Sequence, residues 1–136
     1  MAVMTPKKHR LLVQSVELAR QALERVDPAS PSAALPLLRA AAEHLSEAID
    51  EAMAAVILTD GATIRSAGAL AGLSENSVGP RLARTRDLGA YSGDAGRVTA
   101  KGVERALYDL ERGSHQATPP AAKPAAPLRF TRRRPT

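Results

Sequence analysis

Four side chains in one short stretch carry the chemistry most readily named: Asn76, Ser77, Arg81 and Arg84. An arginine guanidinium can pair bidentately with guanine and an asparagine amide with adenine, each worth ~1–3 kcal/mol of discrimination in the major groove. Ser77, placed at a helix start among exposed N–H groups, is better suited to a phosphate. Val78 and Leu82 form an i, i+4 apolar pair that pins this helix to the body of the protein. A wheel anchored on that pair points Asn76, Ser77, Pro80, Ala83 and Arg84 outward and leaves Arg81 on the flank. Pro80 and Ala83 can offer only apolar contact, for instance to a thymine methyl. The competing reading is a solvated polar face on a helix used only for packing.

Other chemistry finds little support. His9, His44 and His115 are far apart, and no two have metal-ligand spacing. Cysteine is absent, which removes disulfides and thiolate metal sites. Glu43, His44, Glu47, Asp50 and Glu51 crowd one helix, but charged side chains are mostly exposed, and these read as its solvated face. The glycines form no phosphate-binding fingerprint, and no Ser-His-Asp arrangement follows from spacing alone. The expectation is a non-enzyme that uses neither cofactor nor metal.

The elements that must hold the four side chains can be read around them. Residues 63–84 spell a helix, a tight turn and a second helix, with Thr63 as cap of the first. Gly68 falls where the two helices approach, and Gly72 falls in the turn, where a residue without Cβ enters positive φ cheaply. Leu73 drops into the core, and Ser74 or Ser77 caps the second helix. A start at Ser74 would put Pro80 in the second turn at a cost of ~3 kcal/mol. A start at Ser77 keeps it in the first turn, where proline is tolerated, and makes residues 74–76 a turn. Two short strand-like runs, 88–92 and 97–98, then flank Gly93-Asp94-Ala95-Gly96 and describe a β-hairpin. A further helical segment opens at Thr99.

This order of elements resembles winged helix-turn-helix DNA-binding proteins, MarR-type regulators in particular, whose wing commonly runs into a Leu-Thr-x-x-Gly segment. Here that match is Val98-Thr99-Ala100-Lys101-Gly102, and the resemblance spans about residues 53–112. It implies a mainly α fold with a short β-hairpin wing and a recognition helix in the major groove. It also implies a wing in which Arg97 reaches a phosphate or the minor groove. Asp94 at the wing tip would repel phosphate. Arg65 and Arg86 could touch the DNA backbone or serve only solubility.

Upstream, Leu12, Val16, Ala19, Leu23 and Val26 step 4, 3, 4, 3, a helical stripe over about residues 9–26. Residues 27–31 break it. A long helix follows over about 37–58, with Pro36 in its first turn and Leu38, Ala42, Leu45, Ile49, Ala52 and Val56 on one face. Leu11, Leu12, Val13 and Leu18 cannot all face one neighbouring helix. This N-terminal helical hairpin therefore either completes a monomeric core or, as in the MarR-type resemblance, forms a homodimer interface that matches two half-sites. The organisation expected is a basic lead-in (1–8), the hairpin (9–52), the winged helix-turn-helix (53–112) and a Pro/Ala/Arg-rich tail (113–136).

Charge is unevenly spread. The net charge of +5 over 136 residues resolves into −2 for residues 1–60, +2 for 61–112 and +5 for the tail, so the body is near neutral. In the tail, Arg132, Arg133 and Arg134 could neutralise DNA phosphates without specificity. The segment around Leu128 and Phe130 could instead dock on a partner protein, or the tail could simply solubilise the chain. No apolar run approaches the ~20 residues of a membrane span and no signal peptide opens the chain, so a cytoplasmic, nucleoid-associated protein without membrane contact is expected. The resulting expectation is a homodimeric, sequence-specific regulator of transcription that binds double-stranded DNA. The alternative is a winged-helix adaptor inside a larger complex handling plasmid or phage DNA.

Overall fold

A computed structural model describes residues 9–115; the lead-in and residues 116–136, with Arg132, Arg133 and Arg134, lie outside the described residues. Within that span the chain is mainly helical, as expected. Five α-helices succeed one another: α1 (Arg10–Glu24), α2 (Pro31–Asp60), α3 (Ile64–Ala71), α4 (Glu75–Leu82) and α5 (Ala100–His115). No helix among the described residues is long and apolar enough to cross a membrane.

The break between α1 and α2 falls where the sequence places it. Asp27 there accepts the Ala29 N–H at 3.0 Å, and the Ser30 N–H bonds back to the Asp27 carbonyl at 2.9 Å. The start of α2 does not. It begins at Pro31, a proline suited to the first helical position, and Pro36 sits inside the helix. The donor that Pro36 lacks would have met the Ser32 carbonyl; both residues are exposed, so water can serve that acceptor. With 30 residues α2 is ~45 Å long, and it runs unbroken through the boundary expected at residues 52 and 53.

α1 packs antiparallel on α2 through small side chains. Ser15, Ala19 and Ala22 of α1 and Ala34, Ala41 and Ala48 of α2 are buried, the last three at seven-residue spacing. Seven residues are close to two helical turns, so the three alanines line one seam along α2. The larger apolar side chains lie beside the seam. On antiparallel helices, stepping off the seam in the same rotational sense leads to one face of the pair. That step reaches Val16 and Leu23 on α1 and Leu38, Ala42, Leu45 and Ile49 on α2, all exposed.

The second half of α2 enters a different core. Met53, Ala54 and Ile57 pack with Ala67 of α3, Val78 and Leu82 of α4, Leu88, Val98, and Val103 and Ala106 of α5. Thr63 and Ser66 cap α3 reciprocally: each side chain accepts the other's backbone N–H, at 3.0 and 2.9 Å. Gly72 ends α3 at φ +74°, and a Cβ on Gly68 would come within 2.7 Å of Val78 Cγ2, so both glycines do what the sequence assigns them.

Two expectations need correction. α4 starts at Glu75 rather than at Ser77, with Ser74 at the N-cap position making no side-chain cap hydrogen bond, so Pro80 is its sixth residue. The penalty is softened because the acceptor it leaves, the Asn76 carbonyl, belongs to an exposed residue that water can reach. The β-hairpin wing is not present, since the described residues contain no strand. The donors a ladder needs are engaged elsewhere. Tyr91 N–H bonds to Leu88 and Ser92 N–H to Gly89, forming a 3-10 turn at Gly89–Tyr91, while Val98 N–H bonds to the Gly79 carbonyl of α4 at 3.0 Å. Gly93 N–H to Arg97 O at 3.0 Å is the cross-turn bond that remains. Glycine and alanine at 89 and 90 have little to pack on a pleated surface, which favours the tighter turn.

Candidate nucleic-acid interface

α4 is held by its inner face and open on its outer one. Val78 and Leu82 are fully buried and Gly79 is buried beneath residues 97 and 98. Glu75, Asn76, Ser77 and Pro80 are exposed. Ser77 Oγ shares a hydrogen bond of 2.9 Å with Ser74 Oγ, and the Ser77 N–H bonds to the Ser74 carbonyl at 2.9 Å. Among the described residues, no hydrogen bond engages the Asn76 side chain, which leaves both ends of its amide to solvent. Glu75 sits in the first turn of α4, where the helix dipole favours an acid. It pairs with Arg65 of α3 at 3.3 Å; both side chains are well exposed, so the pair adds little stability.

The two arginines of the set behave differently. Arg81 is turned toward α2: its Nε donates to Asp50 Oδ1 at 2.6 Å and its Nη2 to Ser46 Oγ at 3.1 Å, with the side chain 23% exposed. Arg84 follows α4 and donates through Nη2 to Asp50 Oδ2 at 3.2 Å, yet its side chain is 65% exposed. The structure thus leaves Asn76, Ser77 and Arg84 exposed, brings Arg81 and Arg84 together on Asp50, and makes the part-buried Arg81 a tie to α2. Arg97 is half-buried against Gly79, its Nε 3.2 Å from where a Cβ there would sit, rather than at the tip of a wing.

Asp50 is the residue the sequence reading missed. The sequence pattern puts it with Glu43, His44, Glu47 and Glu51 on a solvated face, but its side chain is only 8% exposed. The signal was present. Asp50 precedes Met53, Ala54 and Ile57 by three, four and seven residues, so it lies in phase with the core stripe of α2. An acid in that phase needs a cation, and Arg81 of α4 and Arg84 just after it supply two. The remaining acids disperse: Glu43 pairs with Arg39 at 3.4 Å and His44 with Glu47 at 3.3 Å. No group of three or more His, Cys, Asp or Glu that could hold a metal ion occurs among the described residues.

A second concavity, about 900 Å³, opens between the start of α1, the second half of α2 and α5, lined by Leu11, Leu12, Ala55, Leu58 and Leu110. Glu51 borders it and accepts the Arg86 backbone N–H at 3.3 Å. Partial burial raises the Glu51 pKa above its ordinary 4.5; the bond from Arg86 opposes the rise, and nearby Asp87 and Asp50 add to it. Tyr91 donates its hydroxyl to Asp109 Oδ2 at 2.7 Å, and that bond to a carboxylate raises the phenol's pKa. The cleft lies apart from the open face of α4. No family model matches the chain, and neither the curated proteins nor the solved structures yield a match.

Proposed function

We propose that the chain is a DNA-binding regulator of transcription whose α4 enters the major groove of duplex DNA. The observation that supports this most is the asymmetry of α4: Val78, Gly79, Leu82 and Arg81 fasten one side, while Asn76, Ser77, Pro80 and Arg84 stay open on the other. At eight residues α4 is ~12 Å long, close to the ~12 Å width of the groove, so both its ends remain within reach of base edges. Asn76 reads adenine, Arg84 reads guanine, and Ser77 with the first N–H groups of α4 holds a phosphate. Arg132, Arg133 and Arg134 add backbone attraction without specificity.

The partner is a second copy. The exposed face made by Val16, Leu23, Leu38, Ala42, Leu45 and Ile49 is ~20 Å wide, two helix diameters, and over twenty ångströms long. That is on the order of 450 Å², about half of the ~800 Å² per partner of a stable interface, so residues flanking these six supply the rest. A two-fold pair makes such a face self-complementary and presents two copies of α4 to two half-sites.

The adaptor reading draws on a different observation. Leu70, on α3 beside the open face, is 78% exposed, and an apolar side chain there fits a protein surface better than a phosphate backbone. Fluorescence anisotropy of the full chain against a duplex from its own upstream region and a scrambled duplex, at two salt concentrations, separates the two. A preference for the first duplex that Asn76→Ala and Arg84→Ala abolish supports the regulator. Equal, strongly salt-dependent binding to both duplexes leaves only the tail's attraction and favours the adaptor.

A further inference from the structure

Asp50 engages both arginines of the α4 region, and it engages them unequally. Oδ1 is held by the part-buried Arg81, whose guanidinium also reaches Ser46 and is thereby fixed. Oδ2 is held by Arg84, a mostly exposed side chain that uses one N–H on Asp50. A guanidinium is planar and carries its five N–H donors in a rigid fork. Anchoring one of its nitrogens on a buried carboxylate narrows the range of positions the fork can take. Its other four N–H donors make no hydrogen bond among the described residues, and the side chain is 65% exposed.

We infer that Asp50 is a positioning residue for base reading, holding the Arg84 fork in the orientation that pairs with the O6 and N7 of a guanine. This rests on the DNA-binding reading above and adds the element that makes Arg84 selective. An unheld arginine samples many rotamers, and binding must freeze them; one already held by Asp50 loses less on pairing. Arg81 completes the device. It neutralises the charge of Asp50, so the group as a whole carries a single positive charge and does not repel the phosphates. Asp50 therefore contributes to discrimination between sequences and not to general attraction for DNA.

The test uses the full chain. A randomised 20-base-pair duplex pool is first selected with the wild type. Wild type, Asp50→Asn, Arg84→Ala and Arg84→Lys are then titrated against the selected duplex and against copies in which single guanines are replaced by 7-deazaguanine, which lacks the N7 acceptor. One replacement is expected to weaken the wild type about tenfold, the scale of a bidentate arginine–guanine pair. Arg84→Ala should bind both duplexes equally. Asp50→Asn should lose most of the tenfold discrimination while binding scrambled duplex at least as tightly as the wild type, because it gains a net positive charge.

Should Asp50→Asn fail to fold in a thermal melt, Arg84→Lys decides. It keeps the charge at an exposed position but not the planar fork, so it should melt like the wild type and lose discrimination. Wild-type discrimination in Arg84→Lys, or in a folded Asp50→Asn, overturns the inference and leaves the DNA reading intact. A pool that shows no enrichment with the wild type overturns both.

Discussion

The two halves of α2 solve the burial problem in opposite ways. From Met53 onward its large side chains point inward, and with Val78, Leu82, Leu88 and Val98 they make a core from which solvent is all but excluded. Over residues 34–48 the buried side chains are alanines, and Leu38, Leu45 and Ile49 remain largely outside. The first half thus achieves close helix approach and the second achieves apolar burial. A seam of alanines contributes little hydrophobic free energy, because each buried methyl offers little area. The hairpin therefore leans on the core below it and on whatever covers its outer face. The lesson is that one amphipathic helix can be complete in one half and await a partner in the other.

The comparison can be broken most severely in the core. Leu82→Ala removes a fully buried side chain and is expected to destabilise the fold by about 3 kcal/mol in urea denaturation, within the range for buried leucines. Ala41→Leu attacks the hairpin by the opposite route. Overpacking the seam should cost about 2 kcal/mol in the same measurement, whereas Ala41→Ser, whose hydroxyl can bond the carbonyl four residues back, should cost less, about 0.5 kcal/mol. Leu45→Glu with Ile49→Glu sharpens the contrast. Sedimentation should show dimer converted to monomer, with the melting of the monomer little changed because both side chains are already exposed. A double variant that sediments like the wild type would remove the hairpin face from the proposal. Thr63→Ala tests a local contribution and should cost about 1 kcal/mol, the usual worth of a helix cap.

The smallest effect concerns pH. The Glu51 carboxyl titrates above 4.5 in the folded chain because burial disfavours its charge. The folded state thus holds the proton more tightly than the unfolded state, and stability falls as pH rises from 4.5 through the raised value. Glu51→Gln should remove that part of the slope in urea melts between pH 4 and 7, and should be slightly more stable than the wild type at the upper end.

What the sequence showed, it showed through residues with few alternatives. A glycine at positive φ and a threonine cap are local signals, and Gly72 and Thr63 stand where they point; Pro31, expected in the break, opens α2 instead. The apolar pair Val78 and Leu82 identified the inner face of α4 because little else in that short helix could be buried. The failures were tertiary. Pro80 fits inside α4 because the acceptor it orphans faces water, which no local rule records. The pattern of residues 88–98 suits a hairpin but does not record where their donors go, and α4 takes the one on Val98. The burial of Asp50 depends on Arg81 and Arg84, more than thirty residues away. Of the site, Asn76, Ser77 and Arg84 are legible as an exposed set; the Asp50 carboxylate is legible only through its phase with Met53, Ala54 and Ile57 of the core.

The unbroken course of α2 through both regions has a consequence for geometry. A joint between reading head and hairpin would let a pair of such chains adjust to targets of varied separation. A single ~45 Å helix gives no such freedom. In the proposed dimer it would act as a ruler, fixing where each α4 stands relative to the two-fold axis. The distance between half-sites is then one value set by the helix, and inserting a base pair between them should cost as much as spoiling one.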